Sequence, residues 1–275
     1  MELLDFVKKL EGRTDEERKD IIIETLKRSK YNFFLEDYKT AFGQGVNIIM
    51  ELGSGEKEIL VTCHYDAVPG SPGANDNASA IAVVLDVYKR LKDYELNNKI
   101  KLIIFGSEEP THFSVGLIGS HEYVKKHRVE NIKAVYSLEL CGMGDVVGIW
   151  PVEEDIKSTI AFKNLEETLN DLNIYFEYSG KIPGFYSDYK SFRDAGLKDS
   201  LCLTAVLKEE KDKIRKFVEM DPFLLTFRMM TRTLKLPKLF QHYHSPDDKS
   251  IYLTESCLRM MSDVVYNAVI NLDKI

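Results

Sequence analysis

Six polar residues, His64, Asp76, Glu108, Glu109, Glu139 and His244, stand at the ends of short apolar segments or in turns and loops ahead of helices, and their types suit metal binding and proton transfer. His64, with Asp66 two residues on, follows the apolar run from Ile59 to Cys63. At that spacing an imidazole can bind a metal while the carboxylate fixes its orientation or a neighbouring group. Asp76 lies in Gly73-Ala74-Asn75-Asp76-Asn77-Ala78-Ser79-Ala80, a small-residue turn that opens a helix. It reads either as a helix N-cap or as a bridging carboxylate beside a metal. Glu108 and Glu109 follow the apolar run Leu102 to Phe105 and a Gly106-Ser107 turn, ahead of Pro110. They are either a surface acidic pair, or one metal ligand beside one proton carrier. Glu139 interrupts the apolar stretch Ala134 to Leu140. It either faces outward on an edge strand or, if buried, needs a cation to offset the cost of its charge. Tyr243-His244-Ser245-Pro246-Asp247-Asp248 adds an imidazole, a phenol and two acids, with a helix-capping turn as the plain alternative.

These groups can cooperate only if several elements deliver them to one place, and ligands of α/β sheets bind where strands end. The apolar spacing predicts an amphipathic packing helix over 15–29, with Ile21, Ile22, Thr25 and Leu26 on one face. Short apolar runs predict strands at Asn47 to Leu52, Glu58 to Cys63 and Ile100 to Phe105. A helix from Ala78 to Lys92 joins the second and third of these into a βαβ unit. A strand at Ala134 to Leu140, a helix within 154–172, a strand near Ser200 to Val206 and a closing helix from Thr254 to Asn271 continue the alternation. The expectation is one α/β domain over 1–275: three α/β/α layers around a mixed, mostly parallel sheet.

Composition narrows the class. A chain of 275 residues with 44% hydrophobic content can bury a sizeable core. The net charge of −7 argues against nucleic acid as a partner. No apolar run is long enough to span a membrane, and the charged stretch from Met1 to Lys30 lacks the core of a signal peptide, so a cytoplasmic protein is expected. Cys63, Cys141, Cys202 and Cys257 are widely spaced, which predicts buried free thiols rather than a thiolate zinc site or a disulfide framework. No internal repeat or long linker breaks the chain, and nothing in the composition sets an oligomeric state.

Taken in order, His64-Tyr65-Asp66, the turn from Gly73 to Ala80, Ser107-Glu108-Glu109-Pro110, Ser137-Leu138-Glu139-Leu140 and Tyr243 to Asp248 resemble the co-catalytic zinc aminopeptidases of the bacterial leucyl-aminopeptidase type. Gly116 to Ser120, and Ser187-Asp188 followed by Phe192 and Gly196, extend the likeness; the first 45 residues lie outside it. The resemblance implies a zinc-exopeptidase-like fold and two zinc ions, with His64 and Glu139 on one, Glu109 and His244 on the other, and Asp76 bridging. It implies Glu108 as general base, with Asp66 orienting His64 and Tyr243 helping to stabilise the oxyanion. The implied substrates are peptides with a free N-terminus, their α-amine held by a metal together with Glu108 and Glu139.

Glu139 departs from the pattern, since the aminopeptidases carry Asp there. The broad family also holds single-zinc glutaminyl cyclases, which carry Trp where this chain has Tyr243, and carboxypeptidases. Two further rivals are an inactive scaffold relative and an enzyme acting on a non-peptide amide, for which His112 and Phe113 are candidate wall residues. His121 and His127 on a helical surface, and His242, are assigned structural roles outside the metal set.

Overall fold

The computed structural model describes residues 2–41, 43–111, 114–180, 182, 185–221 and 236–275, so His112 and Phe113 lie outside the described residues. The chain opens with two helices, α1 (Leu3–Leu10) and α2 (Asp15–Arg28). A capping box sets where α2 begins: the Thr14 hydroxyl accepts the Glu17 N–H while the Glu17 carboxylate accepts the Thr14 N–H. A hairpin follows, β1 (Phe33–Thr40) and β2 (Gly43–Leu52), then β3 (Glu58–His64), α3 (Ala80–Leu91) and β4 (Lys99–Phe105). Next come α4 (Ile118–Lys126), β5 (Ile132–Glu139), β6 (Val146–Trp150), α5 (Ile160–Asp171) and the short β7 (Phe176–Tyr178). The remainder comprises α6 (Tyr189–Asp194), β8 (Ser200–Val206), α7 (Lys211–Val218), α8 (Lys238–His242) and the long α9 (Glu255–Lys274).

All eight strands form one sheet in the order β1-β2-β4-β3-β5-β8-β6-β7. Its centre is parallel, through the β4–β3, β3–β5 and β5–β8 pairs, and β6–β7 is parallel as well. The β1–β2, β2–β4 and β6–β8 pairs are antiparallel. The sheet is therefore mixed and mostly parallel, as expected. Successive strand residues point to opposite faces, so alternate positions build two cores. Ile59, Val61 and Cys63 of β3 join the cluster under α1, α3, α5 and α9, while Leu60 of β3, with Ile103 and Phe105 of β4, packs against Tyr123 of α4 and Phe192 of α6. Helices on both faces complete the three layers.

The predicted strands and long helices are present, with shifted ends: the helix within 154–172 starts at Ile160 and the closing helix runs on to Lys274. Near its end the buried Asp273 carboxylate accepts the N–H groups of Asn97 (3.0 Å) and Asn98 (2.7 Å), tying α9 to the turn before β4. Sequence periodicity did not reveal α1, β1, β6, β7 or α6. The strand β1 pairs on one side only and leaves Phe34 and Leu35 exposed, so its polarity alternates poorly. Among the described residues no helix is long and apolar enough to cross a membrane.

Candidate functional site

The strand order places β4, β3 and β5 side by side and parallel, so their carboxyl ends form one rim. His64 is the last residue of β3 and Glu139 the last of β5. Glu108 and Glu109 follow β4, where Ser107 takes a left-handed φ of 54° that turns the chain back over the strand end. Because β5 lies between β3 and β8, Glu139 is buried in mid-sheet and the edge-strand alternative does not hold.

Asp76 comes from an irregular turn over Ala74–Ser79 that leads into α3. The Asp76 carboxylate does not cap that helix. The turn is held from several sides: Asn77 Nδ2 donates to Leu138 O (2.9 Å), Gly142 N–H donates to Asn75 Oδ1 (2.8 Å), and Cys141 N–H donates to Ser79 Oγ (2.9 Å). The buried Asp248 carboxylate accepts the N–H groups of Asn75 (2.7 Å) and Asp76 (3.0 Å). With its backbone so tied, the Asp76 side chain is free to face the rim.

Two arms meet on Asp76. His64 Nε2 lies 3.3 Å from Asp76 Oδ1 and 3.4 Å from Glu139 Oε2. His244 Nε2 lies 3.3 Å from Asp76 Oδ2 and 3.0 Å from Glu109 Oε2. Glu108 Oε2 stands 3.7 Å from His64 Nε2. Asp66 lies behind the rim, accepting the backbone N–H groups of Glu108 (3.1 Å) and Glu109 (2.9 Å), with its Oδ1 3.5 Å from His64 Nδ1. Ser187 Oγ donates to Glu139 Oε1 at 2.8 Å. The Tyr243 ring stacks on His244, with centroids 3.6 Å apart.

The electrostatics call for cations. Burial pushes Glu108 and Glu139 upward and raises Glu109, aided by the Asp76 charge, to about 8. Burial works against a charged His64, but the carboxylates of Glu139 and Glu108 raise it well above the ordinary histidine value. Burial likewise opposes charge on His244, yet Asp76 and Glu109 lift it to about 10. Asp76 is held low despite burial by its contacts to His244 and His64. Asp76 Oδ2 and both Glu109 carboxylate oxygens are buried without a hydrogen-bond partner. Orphaned carboxylate oxygens facing imidazole nitrogens are a donor set suited to borderline divalent ions such as zinc. Donor atoms lie within 4.8 Å of one another in each of three sets: His64–Asp76–Glu139, Asp76–Glu109–His244 and His64–Glu108–Glu109. The first two sets share only Asp76.

A cavity of about 280 Å³ opens onto His64, Asp76, Glu108 and Glu139. Leu140, Ile149, Trp150, Phe185, Phe240 and Tyr243 give it an apolar wall. Cleft, acids and imidazoles together match the setting of a metal-assisted hydrolase.

Residues 47–269 match the family model described as peptidase family M28. The chain belongs to peptidase family M28. It is 25% identical over 216 residues to aminopeptidase YwaD of Bacillus subtilis, a match covering 77% of this chain and 40% of the relative. The fold is similar to that of BSAP, a zinc aminopeptidase from Bacillus subtilis, with a TM-score of 0.62, 24% identity, and coverage of 82% of this chain and 49% of that one. It is also similar to the glutaminyl cyclase of Porphyromonas gingivalis, with a TM-score of 0.71, 17% identity, and coverage of 99% and 97%. The chain thus spans less than half the length of the curated aminopeptidase it matches.

Within this M28 chain His64, Asp66, Asp76, Glu108, Glu109, Glu139, Tyr243 and His244 all reach the rim or its supporting layer. The remaining described histidines do not: His127 pairs with Glu36 at 2.7 Å and stacks on Tyr123, and His242 stacks on Tyr252. His121 is carried by α4, away from the metal-ligand sets. Sequence reasoning gave no role to Ser187, Asp248 or Arg18, all of which support the rim. Arg18 left a signal that was readable: it lies four and eight residues ahead of the buried Ile22 and Leu26, a charge on an apolar stripe.

Proposed function

We propose that this chain is a two-zinc aminopeptidase that removes the N-terminal residue from peptides. The observation that carries the reading is Asp76, whose two oxygens face separate imidazole–carboxylate pairs, His64 with Glu139 and His244 with Glu109. These five side chains would hold the ions, with Asp76 shared. Bound zinc supplies Lewis acidity toward the scissile carbonyl and lowers the pKa of water. Glu108 takes the proton of the attacking water and delivers it to the departing amine, a task suited to a carboxyl whose pKa burial has raised. Asp66 keeps Glu108 and Glu109 in place through their backbone N–H groups and steadies His64 from its other ring nitrogen. Tyr243, on the cavity wall beside His244, donates its phenol toward the developing oxyanion. The free α-amine of the substrate sits among Glu108 and Glu139, which confines cleavage to the first peptide bond, and the apolar wall receives the side chain. The four free, buried cysteines suit a reducing compartment such as the cytoplasm.

The test is metal analysis of the purified chain combined with turnover of peptides bearing free or acylated N-termini, with cyclisation of N-terminal glutamine followed in parallel. Release of residues from free N-termini alone, lost on chelation and regained with zinc, is the expected result. Pyroglutamate formation without residue release would replace the peptidase reading with a cyclase, and a metal-free, inert chain would leave a scaffold.

A further inference from the structure

We propose that the first turn of α2 is a clamp that presets the Asp76 loop for metal binding, with Arg18 as its positioning residue and Asp15 as its second contact; the inference rests on the two-metal reading of Asp76. The loop from Tyr65 to Gly73 joins the two residues that must meet, His64 at the end of β3 and Asp76 in the turn before α3. Arg18 is fully buried, and its guanidinium donates to three backbone carbonyls of that loop. Nη1 donates to Tyr65 O at 3.1 Å, and Nη2 donates to Pro72 O at 2.9 Å and Gly73 O at 2.7 Å. Asp15 Oδ1 accepts the Ala67 N–H at 3.1 Å, and the Gly12 N–H donates to Pro72 O at 2.8 Å. Both ends of the loop are thereby fastened to the start of α2, whose position the Thr14–Glu17 capping box sets.

Two features single out the guanidinium. Gly73 has a left-handed φ of 64°, and a Cβ there would meet Arg18 Nη2 at 2.2 Å, so the arginine occupies the space a side chain would take. Across the turn, the Asp248 carboxylate accepts the N–H groups of Asn75 and Asp76. A guanidinium therefore grips the carbonyls that lead up to the bridging residue, while a carboxylate grips its own amide and that of Asn75. Burying a guanidinium is costly, and packing alone would be served by an aliphatic residue in line with Ile22 and Leu26. Only a planar fork of donors reaches all three carbonyls, which a lysine ammonium cannot do with the same geometry. A loop ordered before the metal arrives leaves less ordering to be offset by metal-binding energy.

Zinc affinity is measured by competition with a chromophoric chelator on metal-free wild type, Arg18→Met, Arg18→Lys and Asp15→Ala, alongside the Tm of each metal-free form. Arg18→Met is expected to weaken zinc binding about tenfold or more, as loss of a ligand-supporting contact does. Arg18→Lys should fall between it and wild type. Asp15→Ala, at an exposed position, should weaken zinc by less than Arg18→Met does, with a metal-free Tm close to that of wild type. Excess zinc should return kcat of Arg18→Lys to the wild-type level, which a general folding defect would not allow. Should Arg18→Met not fold, Arg18→Lys and Asp15→Ala decide: zinc affinities equal to wild type in both overturn the clamp. A wild type that binds no zinc, or binds it equally after Asp76→Asn, overturns the two-metal reading and the clamp with it. Asp76-dependent zinc binding that the α2 variants leave unchanged overturns the clamp alone.

Discussion

His64 and His244 approach opposite oxygens of one carboxylate, each at 3.3 Å from Asp76, although they come from the end of a central strand and from a loop 180 residues further on. A single carboxylate held between two imidazoles, each with its own glutamate, is the geometry of a shared ligand. Two consequences follow for metal content and for proton traffic, and each can be measured.

Asp76→Asn leaves one carbonyl oxygen where two carboxylate oxygens stood. Zinc content should fall from two ions per chain to one or none under dialysis against a weak chelator, and peptide release should be lost. Elemental analysis of the dialysed protein checks the count; two retained ions would show that Asp76 does not bridge.

Glu108→Gln preserves side-chain size and removes the proton acceptor. The variant should keep its zinc while kcat falls about a hundredfold or more, the usual contribution of a general base. Steady-state kinetics beside metal analysis tests this, and wild-type rates would remove Glu108 from the base role.

Metal-free protein should lose stability as pH rises. Burial raises Glu108 and Glu139 and moves Glu109 from 4.5 to about 8, so the folded chain holds protons that the unfolded chain has released. His64 is raised and His244 moves from 6.5 to about 10, with the same sign. The folded state therefore binds more protons than the unfolded state across this window, and its stability declines with rising pH until the folded-state values are passed. Asp66 and Asp76 are lowered and act in the opposite sense, but only below the ordinary Asp value of 3.8. Thermal melts in chelator should give a lower Tm at about pH 8.5 than at about pH 5.5. Zinc should narrow or reverse that difference, because metal replaces the protons. A chelated protein most stable at the higher pH would contradict the assignment.

Asp273→Ala should destabilise the fold without touching the site. Its buried carboxylate receives the N–H groups of Asn97 and Asn98, and losing hydrogen bonds to a charged acceptor costs about 2 kcal/mol. Urea denaturation should register the loss, while zinc affinity remains that of wild type.

Much of the site was readable because strand ends are readable. His64, Glu108, Glu109 and Glu139 each follow or close a short apolar run, and a charged residue at such a point has few other reasons to be there. The helix over 15–29 was also readable, but its reading as packing missed Arg18, whose place on the stripe of Ile22 and Leu26 marks it as buried while its carbonyl partners are visible only in the fold. The strands β1 and β7 escaped because edge strands bury little, so the period of two that marks a strand is weak in them. The choice between capping and bridging for Asp76 stayed open in the sequence because small turn residues serve both.

The candidate site residues, the βαβ core, the acidic charge and the wide spacing of the four cysteines were all legible in the sequence, because apolar periodicity and residue chemistry are local properties. Which imidazole meets which glutamate came from the resemblance alone at the level of sequence, and only the tertiary structure brings the pairs together. The sheet order puts β3 between β4 and β5, and the Asp248 and Arg18 contacts fix the turn that presents Asp76 to both arms. Those pairings depend on residues far apart in the chain, and only the packing of strands and loops brings them to within a bond's reach of one another.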